Sequence, residues 1–259
     1  MSRDFLHLKI PPRALRATYS RREKDAKTRV RNCETRLLIF LLLSTIAASG
    51  CAPSTTSTVP NVYDTQQSVE QYISSGRYDA DFARVVSDAT AYLEARAKAV
   101  TRPAIVLDID ETSLSNWPAY KVNGWARIVN GACDIDRGPC GLREWQAMGS
   151  SKALKPTLDL DKRAKSLGVA VFFISGRPSN LQEATEKNLR DQGFEWDGVI
   201  LYPPDTTFKS AVDFKAPERK KLADQGYTIL LAMGDQQSDL TGGYAERTFK
   251  LPNPVYFLP

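Results

Sequence analysis

Four short apolar runs, residues 104–107, 169–174, 199–201 and 228–233, constrain this chain more than any other feature. They lack the apolar–polar alternation of a strand with one wet face. Each therefore reads as a strand buried on both faces, the habit of parallel sheets. Between them lie helix-length stretches closed by glycine: about Pro156 to Gly168, Pro178 to Gly193, and about Pro217 to Gly226. Proline suits a helix's first turn, and glycine suits the left-handed residue past its last. A further helix is expected over residues 79–99, where Phe82, Val85, Val86, Ala89, Leu93 and Ala97 recur at three- and four-residue steps. Repeated βα units predict an α/β fold with a doubly wound, Rossmann-like parallel sheet. Residues 113–155 interrupt the pattern and are expected to form a small cap or insertion after the first strand.

The first fifty residues do not share this pattern. Residues 1–36 carry eleven Lys or Arg against four Asp or Glu, a net of +7. Residues 37–49 are an apolar run of 13, too short to span a bilayer and suited to the core of a signal peptide. Ala48-Ser49-Gly50-Cys51 follows, similar to a bacterial lipoprotein processing site with Cys51 as the lipidated residue. The positively charged stretch is long for a signal peptide, and a later start at Val30 gives an ordinary one. Residues 1–50 are therefore expected to be a targeting segment and residues 51–62, rich in Ser, Thr and Pro, a flexible linker. The folded domain is expected over 63–259, outside the cytosol, with a lipid anchor at Cys51 as its membrane partner.

The whole chain carries +5, so removing +7 leaves −2 for residues 51–259. That balance argues against a nucleic-acid partner. The only histidine is His7, so the expected domain has neither His-dependent triads nor His-ligated zinc. None of the cysteines at 33, 51, 133 and 140 has an Arg six residues later, which excludes a cysteine-phosphatase loop. Catalysis must rest on carboxylates, Lys, Arg and hydroxyls. In an exported protein, Cys133 and Cys140 are expected to form a disulfide that pins the insertion, contributing about 2 kcal/mol in the chain-entropy model.

Three strand ends carry such groups. The first run ends in Asp108-Ile109-Asp110-Glu111-Thr112, the second in Ser175-Gly176-Arg177, and the fourth in Gly234-Asp235-Gln236-Gln237-Ser238-Asp239. Side chains two apart in a strand share a face, and ligands of open parallel sheets bind beyond the strands' carboxyl ends. Asp134-Ile135-Asp136 repeats the paired spelling but follows no apolar run and reads as a loop.

These motifs, in this order, resemble the haloacid dehalogenase superfamily of phosphatases. Together with Ser113-Leu114-Ser115-Asn116, Ser75-Gly76-Arg77-Tyr78 and Phe249-Lys250-Leu251-Pro252-Asn253-Pro254, they are similar to its subfamily IIIB. That branch includes bacterial class B and class C acid phosphatases and plant vegetative storage proteins. The resemblance implies a Mg2+-dependent acid phosphatase acting on small phosphomonoesters, 5′-nucleotides among the candidates. Asp108 is then the nucleophile and Asp110 the general acid and base. The metal ligands are Asp108, the Asp110 backbone carbonyl and Asp235, with Asp239 holding a metal-bound water or the neighbouring lysine. Ser175 would bind a phosphoryl oxygen. Plant members place their lysine eleven residues before a Gly-Tyr, with an Arg four after it. Lys215 fits, with Gly226-Tyr227 and Arg219, and is preferred over Lys209. Gly176, Arg177, Trp117 and Tyr120 are substrate candidates, the two aromatics for base stacking or, equally, for cap packing. Asp110 is expected to have its pKa raised by neighbouring carboxylates. The rivals are a phosphotransferase on the same site and a non-catalytic surface or storage protein on the same fold. Some plant members lack the nucleophile, and its presence here as Asp108 favours the enzyme. The sequence leaves the oligomeric state open.

Overall fold

The computed structural model describes residues 59–204 and 209–258. The expected signal peptide, the expected lipidation site at Cys51 and most of the expected linker lie outside the described residues. Two helices lead in, α1 (Val62–Ser74) and α2 (Arg77–Arg96). The α2 stripe of Tyr78, Phe82, Val86, Ala89 and Leu93 is buried, as its helical spacing requires.

The central sheet holds five strands: β1 (Pro103–Leu107), β4 (Ala170–Pro178), β5 (Gly198–Tyr202), β6 (Thr228–Gly234) and β7 (Arg247–Lys250). Their order is β5-β4-β1-β6-β7, and every neighbouring pair is parallel. Helices α5 (Lys155–Ser166), α6 (Gln182–Asp191) and α7 (Val212–Asp224) supply the crossovers. Strand alternation divides the core between the two faces. Ile105, Leu107, Val171 and Phe173 pack with Phe82 and Leu160, while Ala104, Val106, Phe172 and Ile174 pack with Phe214 and Leu222. Both faces are covered, which explains why these strands read as continuous apolar runs.

The α5 helix ends as its glycine suggests, with Gly168 at φ +72°. Three elements differ from expectation. Pro178 ends β4, and α6 begins only at Gln182 after a 3-10 turn over Ser179–Leu181. Helix α7 begins at Val212, so Pro217 lies inside it. Phe214 and Lys215 are buried, and their packing holds the turn that the proline rule leaves out. Strand β7, Arg-Thr-Phe-Lys, adds a fifth strand that no apolar run announces. It is an edge strand in which only Phe249 is buried.

The chain order places a switch point at β1. From β1 it builds outward through β4 and β5, then crosses back to β6 and β7 on the other side. Neighbouring strands β4, β1 and β6 therefore end side by side, where open parallel sheets bind ligands. The segment between β1 and α5 leaves and returns through a small antiparallel pair, β2 (Leu114–Ser115) with β3 (Lys152–Ala153). Between them α3 (Trp117–Val122) and α4 (Leu142–Met148) surround a separate cluster of Ala119, Tyr120, Cys140, Leu142 and Trp145. Cys133 and Cys140 are disulfide-bonded within this segment. Among the described residues no helix is long and apolar enough to cross a membrane.

Candidate active site

The chain leaves the sheet after Leu107 and turns at once. The Asp108 amide donates to Met233 O at 3.0 Å, and the Ser113 hydroxyl donates to Asp108 O at 2.7 Å. Glu111 takes a left-handed φ of +52°, closing a turn in which its amide donates to Leu114 O at 2.9 Å. Ile109 points into the core, so the carboxylates on either side of it share the opposite aspect.

The cleft at this edge is lined by Asp108, Asp110, Ser175, Gly176, Lys215, Asp235 and Asp239, among others. Lys215, from the first half of α7, is buried between two of the carboxylates. Its Nζ donates to Asp108 Oδ1 at 2.5 Å and to Asp239 Oδ1 at 2.6 Å. Burial alone would lower the Lys215 pKa, but Asp108 and Asp239 outweigh it and hold the pKa above its ordinary value. Burial pushes the Asp108 carboxyl well up, and repulsion from Asp239, Asp235 and Asp110 adds to it against the pull of Lys215. Asp235 is pushed up to about 7 by burial, with Asp239 and Glu111 contributing. Gly234 makes room for this crowding, because a Cβ there would stand 2.2 Å from Asp239 Oδ2.

Asp110 departs from expectation. Arg177, fully buried, donates to it from Nε at 3.0 Å and from Nη2 at 2.7 Å. Asn116 Nδ2 donates to Asp110 Oδ1 at 2.7 Å and Gln146 Nε2 to Oδ2 at 3.1 Å. Burial raises the carboxyl, but the guanidinium and the two amides outweigh it, so the pKa lies below the usual carboxylate value. The expectation of a raised Asp110 is thus reversed. Arg177 is spent on this carboxylate and does not line the cleft, whereas Gly176 does.

Trp117 and Tyr120 stand away from the cleft lining, Tyr120 buried in the cap core and Trp117 packed against the main core. Trp117 packs on Tyr78 and Trp125 at ring-centroid distances of 4.3 and 5.5 Å, and the Tyr120 hydroxyl donates to Glu111 at 3.3 Å. Lys209 is exposed and lines a neighbouring pocket. Asp134 caps its own turn, accepting from the amides of Asp136 and Arg137 at 3.1 and 3.0 Å.

Comparison with known proteins agrees with this geometry. The sequence profile of the HAD superfamily, subfamily IIIB (acid phosphatase), matches residues 39–259. This chain belongs to that acid phosphatase subfamily. It is 38% identical to the stem 28 kDa glycoprotein of Glycine max over 197 residues, 74% of each chain. To acid phosphatase 1 of Solanum lycopersicum it is 32% identical over 197 residues, 73% of each chain. Its fold is similar to that of the class C acid phosphatase from Bacillus anthracis: TM-score 0.60 at 26% identity, covering 76% of this chain and 86% of that one. Fold, family and site together make it a phosphatase enzyme.

The subfamily's chemistry implies a divalent metal, and the donor set fits one. Asp108, Asp235 and Asp239 are buried, with ligand oxygens within 4.8 Å of one another. Three carboxylates and one ammonium leave a net of −2, and hard oxygen donors suit such a cation.

Hydrogen bonding decides which oxygens are free. Asp235 Oδ2 accepts from Asn253 Nδ2 and Gln236 Nε2, both at 2.6 Å, while Oδ1 has only a long contact of 3.4 Å from Thr112 Oγ1. Lys250 Nζ donates to the Asp235 carbonyl, so the Phe249–Pro254 motif clamps this aspartate from both ends. Glu111, pushed up to about 8 by burial and then by Asp110, lies beneath the site. It accepts from the Asn116 amide at 2.6 Å and the Tyr256 hydroxyl at 3.0 Å, tying the insertion and the C-terminal segment to one carboxyl. The motifs name Glu111, Asn116 and Asn253 but carry no role for them, and Gln146 has no local signal.

Asn253→Ala removes one of the two amides that aim Asp235. It is expected to weaken divalent-cation binding by about tenfold or more, the usual cost of losing a group that orients a ligand. Calorimetric titration with Mg2+ and Mn2+ measures it, and an unchanged affinity would show that Gln236 alone suffices.

Proposed function

We propose that the protein is a Mg2+-dependent, extracytoplasmic phosphatase that hydrolyses small phosphomonoesters through an aspartyl-phosphate on Asp108. The observation that carries this reading is the buried Lys215 bridging Asp108 and Asp239 beside Asp110 and Ser175. Lys215 occupies Asp108 Oδ1. The other oxygen accepts no hydrogen bond from the described residues and is the one available to attack phosphorus. As that bond forms, the ester P–O bond breaks and its electron pair leaves with the alcohol oxygen, which takes the proton of Asp110. Asp110 then accepts a proton from water, whose oxygen attacks phosphorus and releases inorganic phosphate from Asp108. The Ser175 hydroxyl donates to a phosphoryl oxygen. Asp108, Asp235 and the Asp110 carbonyl would hold Mg2+, with Asp239 securing Lys215. The chemistry supplied by a cation held there is neutralisation of repulsion between nucleophile and phosphate.

Asp108→Asn removes the nucleophile and is expected to abolish hydrolysis of p-nitrophenyl phosphate. EDTA should silence the wild type, and added Mg2+ should restore it. Melting temperature should stay at or above wild type, because the change relieves repulsion among buried carboxylates. Turnover by purified Asp108→Asn protein would defeat the covalent route.

The Asp110–Arg177 pair sets the pH dependence. An acid with a depressed pKa is protonated in a small fraction at neutral pH, and that fraction grows as pH falls, so activity is expected to peak on the acid side. Arg177→Gln removes the group that most lowers the Asp110 pKa. The pKa should rise, and the alkaline limb of the kcat/KM profile should move to higher pH. A limb that stays in place would mean that it belongs to another group.

Export and anchoring rest on the 37–49 apolar run, the small residues before Cys51 and the Cys133–Cys140 disulfide, which suits an oxidising compartment. Cys51→Ser should move the protein from the membrane fraction to the soluble fraction. A wild type already soluble would favour plain secretion.

A further inference from the structure

The cleft contains two cations that this mechanism does not use. Arg127 follows α3 and Arg143 lies in α4, both within the insertion, and both line the cleft with Asp108, Ser175 and Lys215. Neither has a carboxylate within ion-pair distance among the described residues. Arg127 lies over the Tyr256 ring, Cζ 5.3 Å from its centroid, and its Nε is buried with no hydrogen-bond partner. The Arg143 hydrogen bond is to a neutral acceptor, from Nη1 to Gln146 Oε1 at 3.0 Å. Arg143 also lines the adjoining pocket of Tyr202, Lys209 and Phe214, so it stands where the cleft opens outward.

A charge count gives the pair a purpose. Asp110 is matched by Arg177. Asp108, Asp235 and Asp239 are matched by Lys215 and one divalent cation. Those groups sum to zero, leaving Arg127 and Arg143 as a surplus of +2. A phosphomonoester carries −2 when doubly ionised. A phosphodiester carries −1, and a second acidic group on the substrate would exceed what the pair can balance. Guanidinium groups also suit phosphate oxygens geometrically, presenting paired donors in a plane.

We propose that Arg127 and Arg143 are the counter-charge that binds the phosphoryl dianion, so that the insertion selects phosphomonoesters over diesters. This rests on the phosphatase reading above and adds the residues that recognise its substrate's charge. Glu111 does not enter the count, because it lies beneath the cleft and is not part of its lining.

The test uses the folded enzyme with saturating Mg2+. Inorganic phosphate binding is measured by calorimetry, and KM and kcat are measured with p-nitrophenyl phosphate. Arg127→Gln and Arg143→Gln should each raise the phosphate Kd and KM by about tenfold or more, as expected for lost charged hydrogen bonds, while kcat changes far less. Arg→Lys variants at both positions should recover part of the loss, because they retain the charge. Added salt should weaken phosphate binding more in the wild type than in the double variant. Melting curves identify any glutamine variant that does not fold, and the methionine variant then takes its place. Unchanged phosphate Kd in the variants would overturn the proposal. So would a loss confined to kcat, which would mean that Arg143 only orients Gln146 against Asp110. A wild type that neither binds phosphate nor cleaves the ester would instead defeat the phosphatase reading itself.

Discussion

One buried ammonium lets three carboxylates share a pocket. Like charges about 4 Å apart repel by about 4 kcal/mol at the effective dielectric of a partly wet protein site. Asp108, Asp235 and Asp239 face that cost together, and Lys215 offsets part of it by bonding two of them. Losing Lys215 would cost about 3–5 kcal/mol, because the carboxylates would lose their partner without regaining water. Burial first, and the repulsion that remains after it, keep the Asp108 and Asp235 carboxyls raised. A site with unmet negative charge and aligned oxygens is prepared for a divalent cation.

The surroundings of that site control direction more than charge. Asp235 has one oxygen saturated by two amides and the other left open. Asp108 has one oxygen tied to Lys215. Asp110 is gripped by Arg177, Asn116 and Gln146. These partners come from β4, α7, the insertion, the turn after β6 and the C-terminal segment. The insertion and the C-terminal segment meet again at Glu111 through Asn116 and Tyr256. The sheet therefore places the carboxylates, and the excursions from it decide which lone pairs each presents.

Much of this was legible in the chain. Strands β1, β4, β5 and β6 appear as apolar runs because their side chains are buried on both faces, a local property of the residues. Edge strand β7 was not legible, since only Phe249 faces the core and a single apolar residue makes no pattern. The start of α7 was misplaced because Pro217 suggests a boundary, while Phe214 and Lys215 draw the preceding turn into the helix through packing. Trp117 and Tyr120 follow Asp108 closely, yet α3 turns Tyr120 into the cap core and Trp117 against the main core.

By itself the sequence determined that carboxylates and a hydroxyl would gather at one sheet edge, while Lys215 was singled out only by the likeness to the plant members. Strand periodicity and chain order are short-range or topological facts, and both survive in a string of letters. Only the tertiary structure decided the electrostatic state of Asp110, because Arg177 and Gln146 lie 67 and 36 residues away. The same holds for the aim of Asp235, set by Asn253 from 18 residues downstream. Hydrogen bonds act over about 3 Å, and no spacing along the chain reveals which distant donors folding will bring within that reach.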